Sequence, residues 1–382
     1  MRLLYVSTLD HIIHVMLPHL DAARARGWRV EVACRVTRDP AITLAHCDAL
    51  HDIPFARNPL DPRNLLATAK LVNLIRREKF DIVHCHNPSG GFFGRLAATL
   101  AGTKPIRVYT AHGFHFHPLG GKLSNFVYRT IESFAGKYLS DAVLTINQWD
   151  FDEAKKLMPP EKVYFTRGVG VSTDEFDPAK VSDAERQKIR DEFSVPEGGF
   201  LVTCIGEMIP RKGHELAINN VILLNKDESK QNIISVFVGT GKLLLKLRSM
   251  FPDDKNIIFT GFRRDIVAIF AASDVFFLPS YQEGLPCVLQ EAMSMEVPSV
   301  AFKVRGCSDI LTNNEGKITR FGRDKCAVFS LLSGIETILE VSERERREMG
   351  RAGRRKMIEL YDRPKCVAAW LAIYDELLEK RG

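Results

Sequence analysis

The chain lacks the features that mark membrane-spanning, nicotinamide-dependent and disulfide-bonded proteins. In 382 residues no apolar run approaches the ~18 residues that span a bilayer. No Gly-x-Gly-x-x-Gly follows the first strand-like run, which argues against a dehydrogenase. The eight cysteines are scattered without a Cys-x-x-Cys pair, so we expect free thiols in a reducing cytoplasm. The first residues begin as a strand and do not have a signal-peptide layout.

Length and charge indicate a two-domain globular protein with an anionic partner. A chain of 382 residues is longer than the chains that usually fold around a single hydrophobic core. Through residue 140 there are 18 Lys and Arg against 10 Asp and Glu, whereas the remainder has 35 against 37. The basic first half predicts contact with nucleic acid, a membrane surface or a phosphorylated acceptor, unless it is only a solvated surface. Nucleic acid is disfavoured, because no zinc-finger spacing or RNA-binding aromatic signature is present.

Strand-like and helical patterns alternate in two sets. The strand-like runs are 2–7, 28–34, 80–86, 105–111 and 141–146, then 200–206, 233–239, 256–260, 274–279 and 298–302. Such alternation predicts two α/β domains, each with a doubly wound, Rossmann-like parallel sheet. The turn-rich segment Arg167–Pro178 is a natural linker between the sets. Ligands of open parallel sheets bind outside the carboxyl ends of the strands, so we expect the site in a cleft that the two domains face.

The most informative segment runs from Ser280 to Glu291, directly after a strand-like run. It places Glu283, a glycine and a proline before a helix that carries Glu291. Proline suits the first position of a helix, because its missing N–H has no partner there anyway. Two acids around a helix N-terminus predict a ligand with both hydroxyls and phosphate, such as a sugar nucleotide. The alternative is a surface turn with a capping acid and a solvated one.

Other junctions after strands carry groups that suit a nucleotide diphosphate. Gly206 opens a loop that contains Arg211 and Lys212, a layout that fits a diphosphate or a plain basic surface turn. Gly241 lies at a glycine-rich strand end. This segment lacks the Lys-Ser/Thr pair with which a P-loop motif ends. Phe262 and Arg263 follow another strand and offer a planar group on which a base could stack.

Five histidines gather near two strand ends of the first set: His84, His86, His112, His115 and His117. The pairs 84/86 and 115/117 each alternate onto one face, which raises the possibility of zinc. Because no acidic or cysteine third ligand recurs at a helical spacing, we favour hydrogen bonding to a polyhydroxylated ligand.

Together these motifs resemble the family-4 retaining glycosyltransferases of the GT-B fold, in particular capsular and exopolysaccharide enzymes with lipid-linked acceptors. The resemblance covers nearly the whole chain and rests mainly on the Glu283-x7-Glu291 motif with Gly-Leu-Pro inside it. It implies an acceptor-binding domain at 1–166, a linker at 167–178 and a nucleotide-sugar-binding domain at 179–363. It also implies that the helix within 364–382 packs back onto the first domain.

The resemblance further implies roles for individual residues. The catalytic residues would be His112, Glu283, Arg211 and Lys212. The donor-binding residues would be Gly206, Gly241, Phe262, Arg263, Gly284, Leu285, Pro286, Cys287 and Glu291. The acceptor-binding residues would be Asp10, His11, His86, Gly90, Gly91, His115 and His117.

In this scheme Glu291 binds the ribose, Glu283 and His112 bind the transferred sugar, and amides at Leu285 and Cys287 cradle the diphosphate. Arg211 and Lys212 neutralise the leaving group, so no metal or other cofactor is expected.

Two positions depart from the pattern of many relatives. Ser7-Thr-Leu-Asp10-His11 stands where they have Gly-Gly after the first strand, and Glu207 stands where they have Arg. The second departure weakens any diphosphate contact at that position, although Arg211 could substitute for the missing cation.

The main functional hypothesis is transfer of a sugar from a UDP donor to an undecaprenyl-diphosphate-linked saccharide. The protein would act from the cytoplasm, peripherally bound to the anionic inner face of the membrane. A basic stretch with aromatics, Lys122 to Tyr138, could lie at the lipid interface. The alternatives are a soluble acceptor, a GT-B sugar-nucleotide epimerase and a non-catalytic UDP-sugar sensor.

Overall fold

A computed structural model describes residues 1–118, 120–225, 232–250, 254–319 and 325–381, without the side chains of 225 and 325–329. The chain divides into two compact units. Unit 1 comprises Met1–Val169 and Arg363–Gly382, and unit 2 comprises Gly170–Asp362. Among the described residues, no helix combines the length and the apolar composition needed to cross a bilayer.

Unit 1 contains a seven-stranded parallel sheet with the order β3-β2-β1-β4-β5-β6-β7. Its strands are β1 (Arg2–Leu9), β2 (Arg29–Arg35), β3 (Ala49–Asp52), β4 (Ile82–His86), β5 (Ile106–Ala111), β6 (Ala142–Thr145) and β7 (Val163–Phe165). Its helices are α1 (Asp10–His14), α2 (Leu17–Ala25), α3 (Pro40–Leu44), α4 (Arg63–Glu78), α5 (Pro88–Leu100), α6 (Lys122–Tyr138), α7 (Gln148–Leu157) and α16 (Arg363–Glu379).

Unit 2 contains a six-stranded parallel sheet with the order β10-β9-β8-β11-β12-β13. Its strands are β8 (Phe200–Ile205), β9 (Ile233–Val238), β10 (Ile257–Gly261), β11 (Val275–Leu278), β12 (Ser299–Phe302) and β13 (Gly316–Thr319). Its helices are α8 (Asp183–Glu192), α9 (His214–Asn225), α10 (Leu244–Met250), α11 (Ile266–Ala272), α12 (Cys287–Ser294), α13 (Cys307–Ile310), α14 (Lys325–Glu340) and α15 (Glu343–Lys356).

The strands are apolar on both faces because helices cover both sides of each sheet. In unit 2, Leu201 and Phe276 belong to one buried cluster, while their neighbours Val202 and Phe277 belong to another. Since successive strand residues point to opposite faces, the two clusters lie on opposite sides of the sheet. The predicted doubly wound architecture is therefore confirmed.

Each sheet has one point at which the order of strands reverses. In unit 1 this point lies between β1 and β4, and in unit 2 it lies between β8 and β11. Loops that leave adjacent strands at such a point diverge and open a crevice, where open α/β sheets bind ligands. The two reversal points therefore identify the loops in which functional side chains are expected.

All ten predicted strands are present, with ends that differ by at most two residues. Three strands were not predicted: β3, β7 and β13. All three lie at sheet edges and have only three or four residues. Their sequences are too short for alternation to be visible, so pairing with a neighbour, and not local pattern, determines them.

Candidate active site

The site in unit 2 is built on close packing between the loops that follow β8 and β11. Gly213 ends the first loop with φ +71°, and a Cβ there would lie 2.1 Å from the carbonyl oxygen of Pro279. The amide of Tyr281 donates to the carbonyl of Arg211 over 2.8 Å. A residue larger than glycine at 213 would therefore force the loops apart.

A buried ion pair joins these two loops. Lys212 Nζ lies 2.5 Å from Glu283 Oε1, and only 13% and 7% of their side chains are exposed. The more exposed Arg211 places Nη1 3.8 Å from the other oxygen of Glu283. Two cations beside one carboxylate leave an excess positive charge, which a diphosphate would neutralise.

Arg305, which follows β12, also belongs to this group, although the sequence analysis did not identify it. Its Nε donates to the backbone carbonyl of Glu283 over 3.0 Å. The neighbouring Gly306 has φ +77°, and a Cβ there would lie 2.1 Å from the carbonyl oxygen of Gly284. An Arg-Gly pair three residues after the end of a predicted strand was the available signal.

Helix α12 begins beside the ion pair, but one residue later than expected. Pro286 is the N-cap and Cys287 is the first helical residue, so the expectation of proline at the first helical position was wrong. Gly284, Leu285 and Pro286 form the turn into the helix. Glu291 lies on α12, about 6 Å along the axis from Cys287 at ~1.5 Å per residue, and is half-buried.

Two further glycines shape the crevice. Gly241 has φ +157°, and a Cβ there would lie 2.5 Å from the carbonyl oxygen of Met208. The loops after β8 and β9 therefore also touch backbone to backbone. A Cβ on Gly206 would meet no described atom within 4 Å, so this position is open.

The expectation that Arg263 stacks on a base is not supported. Its guanidinium is bound by two carboxylates, those of Glu192 and Asp265. Both ion pairs raise the Arg263 pKa above its usual range. Phe262 differs, because 70% of its surface is exposed.

In unit 1 the last residues of β4 and the residue after β5 form a buried histidine cluster. The rings of His84 and His86 lie 4.2 Å apart between centroids, as expected for residues that share one face of a strand. His84 Nε2 is 2.7 Å from Thr110 Oγ1, and its Nδ1 bonds the hydroxyl of Tyr374 on α16. His86 Nδ1 is 3.2 Å from His112 Nε2.

These histidines are neutral at physiological pH. Burial lowers the pKa of His112 to about 4 and lowers the pKa of His84 and His86 well below the usual value. His112 itself is only half-covered, whereas His84 and His86 are fully buried. His86 is therefore unsuited to the direct acceptor contact that we predicted, and His112 is the member of the cluster that a ligand could reach.

Two residues after β1 differ in their surroundings. Asp10 is buried and accepts hydrogen bonds from the amide of Thr37 (2.7 Å), the hydroxyl of Thr37 (2.6 Å) and the amide of Arg38 (2.7 Å). Burial opposes ionisation of Asp10, but these bonds outweigh it and lower its pKa. Asp10 therefore anchors a neighbouring loop, whereas His11 is half-buried and accessible to a ligand.

Gly90 and Gly91 were predicted to form a loop, but both lie in the first turn of α5. A Cβ on Gly90 would lie 2.7 Å from the backbone nitrogen of Thr8, and one on Gly91 would lie 2.4 Å from the Tyr109 ring. Their small size lets α5 pack closely on the sheet. The amide of Gly90 donates to Thr8 Oγ1 over 2.9 Å, which connects α5 to the end of β1.

His115 and His117 do not join the cluster. They follow β5 in a non-strand segment, where His115 is exposed with its ring 5.2 Å from that of Tyr128. The burial of Phe114 and Phe116 on either side of the exposed His115 agrees with the expected alternation, although the segment is not a strand. In the described part of the chain, no three His, Cys, Asp or Glu side chains are grouped to hold a metal ion.

Comparisons with known proteins identify the family of the chain. Two family models match the chain, Glycosyltransferase Family 4 over residues 16–166 and Glycosyl transferases group 1 over residues 185–356. A Bacillus subtilis (strain 168) protein named glycosyltransferase EpsD is 33% identical over 82% of this chain and 82% of its own. The chain belongs to this glycosyltransferase family.

Two further relatives are informative. An Escherichia coli UDP-Gal:alpha-D-GlcNAc-diphosphoundecaprenol alpha-1,3-galactosyltransferase is 31% identical over 66% of this chain and 65% of its own. The crystal structure of Anabaena HepE in complex with UDP superposes with a TM-score of 0.78 at 18% identity. That match covers 98% of this glycosyltransferase and 100% of HepE, so the fold is GT-B.

Proposed function

We propose that this glycosyltransferase moves a hexose or N-acetylhexosamine from a UDP-sugar to an undecaprenyl-diphosphate-linked saccharide, with retention at the anomeric carbon. The observation that carries the proposal is the Lys212–Glu283–Arg211 group beside the start of α12. It combines excess positive charge for a diphosphate with a carboxylate for hydroxyls. The Escherichia coli relative, whose name specifies a UDP-Gal donor and a diphosphoundecaprenol acceptor, supports the choice of substrates.

On the donor side, each group has a separate task. Glu291 accepts hydrogen bonds from the ribose, and Glu283 binds hydroxyls of the transferred sugar. Amides at Leu285 and Cys287 bind the diphosphate at the N-terminal end of α12. Because Lys212 is already held by Glu283 over 2.5 Å, it needs little reorganisation when the diphosphate arrives.

The chemical step needs no protein nucleophile. An acceptor hydroxyl attacks the anomeric carbon as the bond to the UDP oxygen breaks, and the departing phosphate takes the acceptor proton. Catalysis then consists of positioning and of stabilising the negative charge that grows on the leaving diphosphate. His112 donates a hydrogen bond to a hydroxyl of the sugar.

Charge neutralisation by Arg211 and Lys212 makes the proposed reaction independent of metal ions. Activity should persist when EDTA removes divalent cations. Loss of activity on chelation, restored by zinc or manganese, would contradict this part of the proposal.

A lipid-linked acceptor would bring the enzyme to the membrane surface, and α6 has the composition for this contact. Leu123, Phe126 and Tyr138 expose 78%, 67% and 65% of their surfaces. Lys122 and Lys137 lie at the two ends of the same helix. Exposed apolar groups and cations on one helix are typical of binding to anionic lipid.

Flotation with anionic vesicles tests this docking. We expect capture at low salt and release near 0.5 M salt, at which the Debye length falls to about 4–5 Å. Replacement of Lys122 and Lys137 by Glu should reduce flotation and activity on a long-chain acceptor while UDP affinity is retained. Indifference of the wild type to anionic vesicles at every salt concentration would favour a soluble acceptor.

The decisive experiment for the reaction is nucleotide release across a panel of UDP- and GDP-sugars, with and without a lipid-diphosphate-linked saccharide. We expect release from one UDP-sugar only when the acceptor is present, with a product that retains the anomeric configuration. Conversion of the donor without acceptor would indicate an epimerase, and binding of UDP-sugar without turnover would indicate a sensor.

A further inference from the structure

The C-terminal helix α16 forms one wall of the histidine cluster in unit 1. Trp370 is buried, and its ring lies 4.5 Å from that of His19, 5.2 Å from that of His84 and 6.1 Å from that of His86. The Trp370 and His86 rings are nearly parallel, at 11°. Tyr5 also lies against His86, with centroids 5.4 Å apart and an angle of 6°. His86 is therefore packed against two aromatic rings, so a change in its orientation would disturb both contacts.

The His86 ring makes one hydrogen bond to the described residues, and that bond goes to His112. His86 Nδ1 lies 3.2 Å from His112 Nε2, while His86 Nε2 is buried without a hydrogen-bond partner among the described residues. A neutral imidazole has one N–H donor and one acceptor nitrogen. Two proton arrangements are therefore possible for this pair.

The two arrangements differ in the kind of atom that is left unpaired. If His112 donated, the proton of His86 would sit on Nε2 as a buried N–H without an acceptor. If His86 donates from Nδ1, only an acceptor lone pair on Nε2 lacks a partner. Buried N–H groups without acceptors are the rarer of the two in native proteins.

From this geometry we propose that His86 is a positioning residue that fixes His112 in the Nδ1–H tautomer. His112 Nε2 is occupied as the acceptor of the bond from His86, so the N–H on Nδ1 is available as a donor. His112 thus presents a neutral hydrogen-bond donor of fixed direction to a sugar hydroxyl, a role that rests on the proposed function. The tautomer itself follows from the contacts within unit 1 alone.

The protonation states agree with this assignment. Burial lowers the pKa of His112 to about 4, so the ring carries a single proton at neutral pH. His86 is also neutral, because burial and the nearby His84 and His112 lower its pKa. With both rings neutral, the direction of the bond between them determines which nitrogen of His112 carries the proton.

The tautomer can be measured directly by two-bond ¹⁵N–¹H correlation NMR on the full-length protein labelled with ¹⁵N-histidine. We expect the ring whose signals vanish in His112→Gln to have a protonated Nδ1 and an unprotonated Nε2, and His86 should show the same tautomer. A His112 ring protonated at Nε2 in the wild type would overturn the proposal, whichever substrates the enzyme proves to use.

Two variants separate positioning from simple packing. His86→Asn can place an amide N–H near the position of Nδ1, whereas His86→Leu fills similar space without a donor. We expect His86→Leu to lower kcat by about 10- to 100-fold, the range for groups that orient histidines elsewhere. His86→Asn should retain most of the turnover, and the KM for the UDP-sugar should change little in both.

Equal loss of kcat in His86→Leu and His86→Asn, with the His112 tautomer unchanged in both, would refute the positioning role. His46→Asn is the matched control, because His46 is a partly exposed histidine bound to Asp21 in the same unit. It should alter neither kcat nor the signals of His112.

If His86→Leu does not fold, the wild-type spectrum and His86→Asn still decide whether His86 positions His112. If no donor in the panel supports turnover, the proposed function fails while the tautomer assignment stands or falls on the spectrum.

Discussion

The polar groups at the two reversal points differ in charge. In unit 1 they are neutral histidines, held by one another and by aromatic rings of α16. In unit 2 they are charged, with Glu283 between Lys212 and Arg211. Charged groups bind an ionic ligand strongly, whereas neutral donors of fixed direction distinguish hydroxyl positions. The same sheet architecture therefore supports anion binding in one unit and directional hydrogen bonding in the other.

The largest expected effect comes from breaking the ion pair of unit 2. Lys212→Met should lower turnover by about 10²- to 10³-fold, as for loss of one group that stabilises transition-state charge, and should also weaken UDP binding. Initial rates and calorimetry with UDP measure the two effects. Lys246→Met is the control, since it removes an exposed ion pair with Glu215 in the same unit and should change neither quantity. Normal turnover in Lys212→Met would show that the ion pair is not part of the active site.

Replacement of the accessible histidine of unit 1 should affect turnover alone. His112→Ala should reduce turnover by ~10²-fold, because a contact to the transferred sugar matters more in the transition state than for UDP. UDP affinity measured by calorimetry should stay near the wild-type value. Equal losses in UDP affinity and turnover would make His112 a structural residue and weaken the contrast between the units.

Glu291 should show the opposite behaviour to His112. If it binds the ribose, Glu291→Ala should weaken UDP binding by ~1.5–3 kcal/mol, the range for hydrogen bonds to a charged group. Calorimetry with UDP measures this, and Glu348→Ala on the exposed face of α15 serves as the control. An unchanged affinity for UDP would argue against the Glu283-x7-Glu291 motif as a nucleotide site.

The smallest expected effect concerns acid sensitivity, which should be concentrated in unit 1. Burial lowers the pKa of His19 to about 3. Burial also lowers the pKa values of His84, His86 and His112. An unfolded histidine binds its proton near pH 6.5, so below that value the unfolded state takes up more protons and the folded state loses stability as pH falls.

His19→Leu removes one of these groups. Between pH 7 and pH 5 its free energy of unfolding should fall by about 1–2 kcal/mol less than that of the wild type. All three tryptophans, at 28, 149 and 370, lie in unit 1, so urea unfolding followed by tryptophan fluorescence reports on that unit. A pH dependence of His19→Leu identical to that of the wild type would contradict the prediction.

Local pattern was sufficient to predict the fold class and ten strands, because apolar runs that end in turn-forming residues are visible in sequence. It was insufficient for β3, β7 and β13, whose few residues become strands only through their neighbours. The start of α12 was misplaced by one residue, since proline is compatible with both the N-cap and the first helical position.

The site was predictable in its residue types but not in its pairings. Lys212 and Glu283 meet because β8 lies beside β11, and the order of strands cannot be read from either segment alone. The contact of Tyr374 with His84 joins residues 290 positions apart. Sequence reasoning therefore treated the histidines as ligand contacts, whereas burial by α16 leaves His112 as the accessible member.

The division of unit 1 between the two ends of the chain has a consequence for biosynthesis. Residues 170–362 form unit 2 from one uninterrupted segment, whereas unit 1 also requires residues 363–382. On the ribosome the chain emerges from its N-terminus, so the histidine cluster remains uncovered until Trp370 and Tyr374 have been translated. Unit 2 can therefore complete its fold first, and the histidine site becomes complete only after all of unit 2 has been translated.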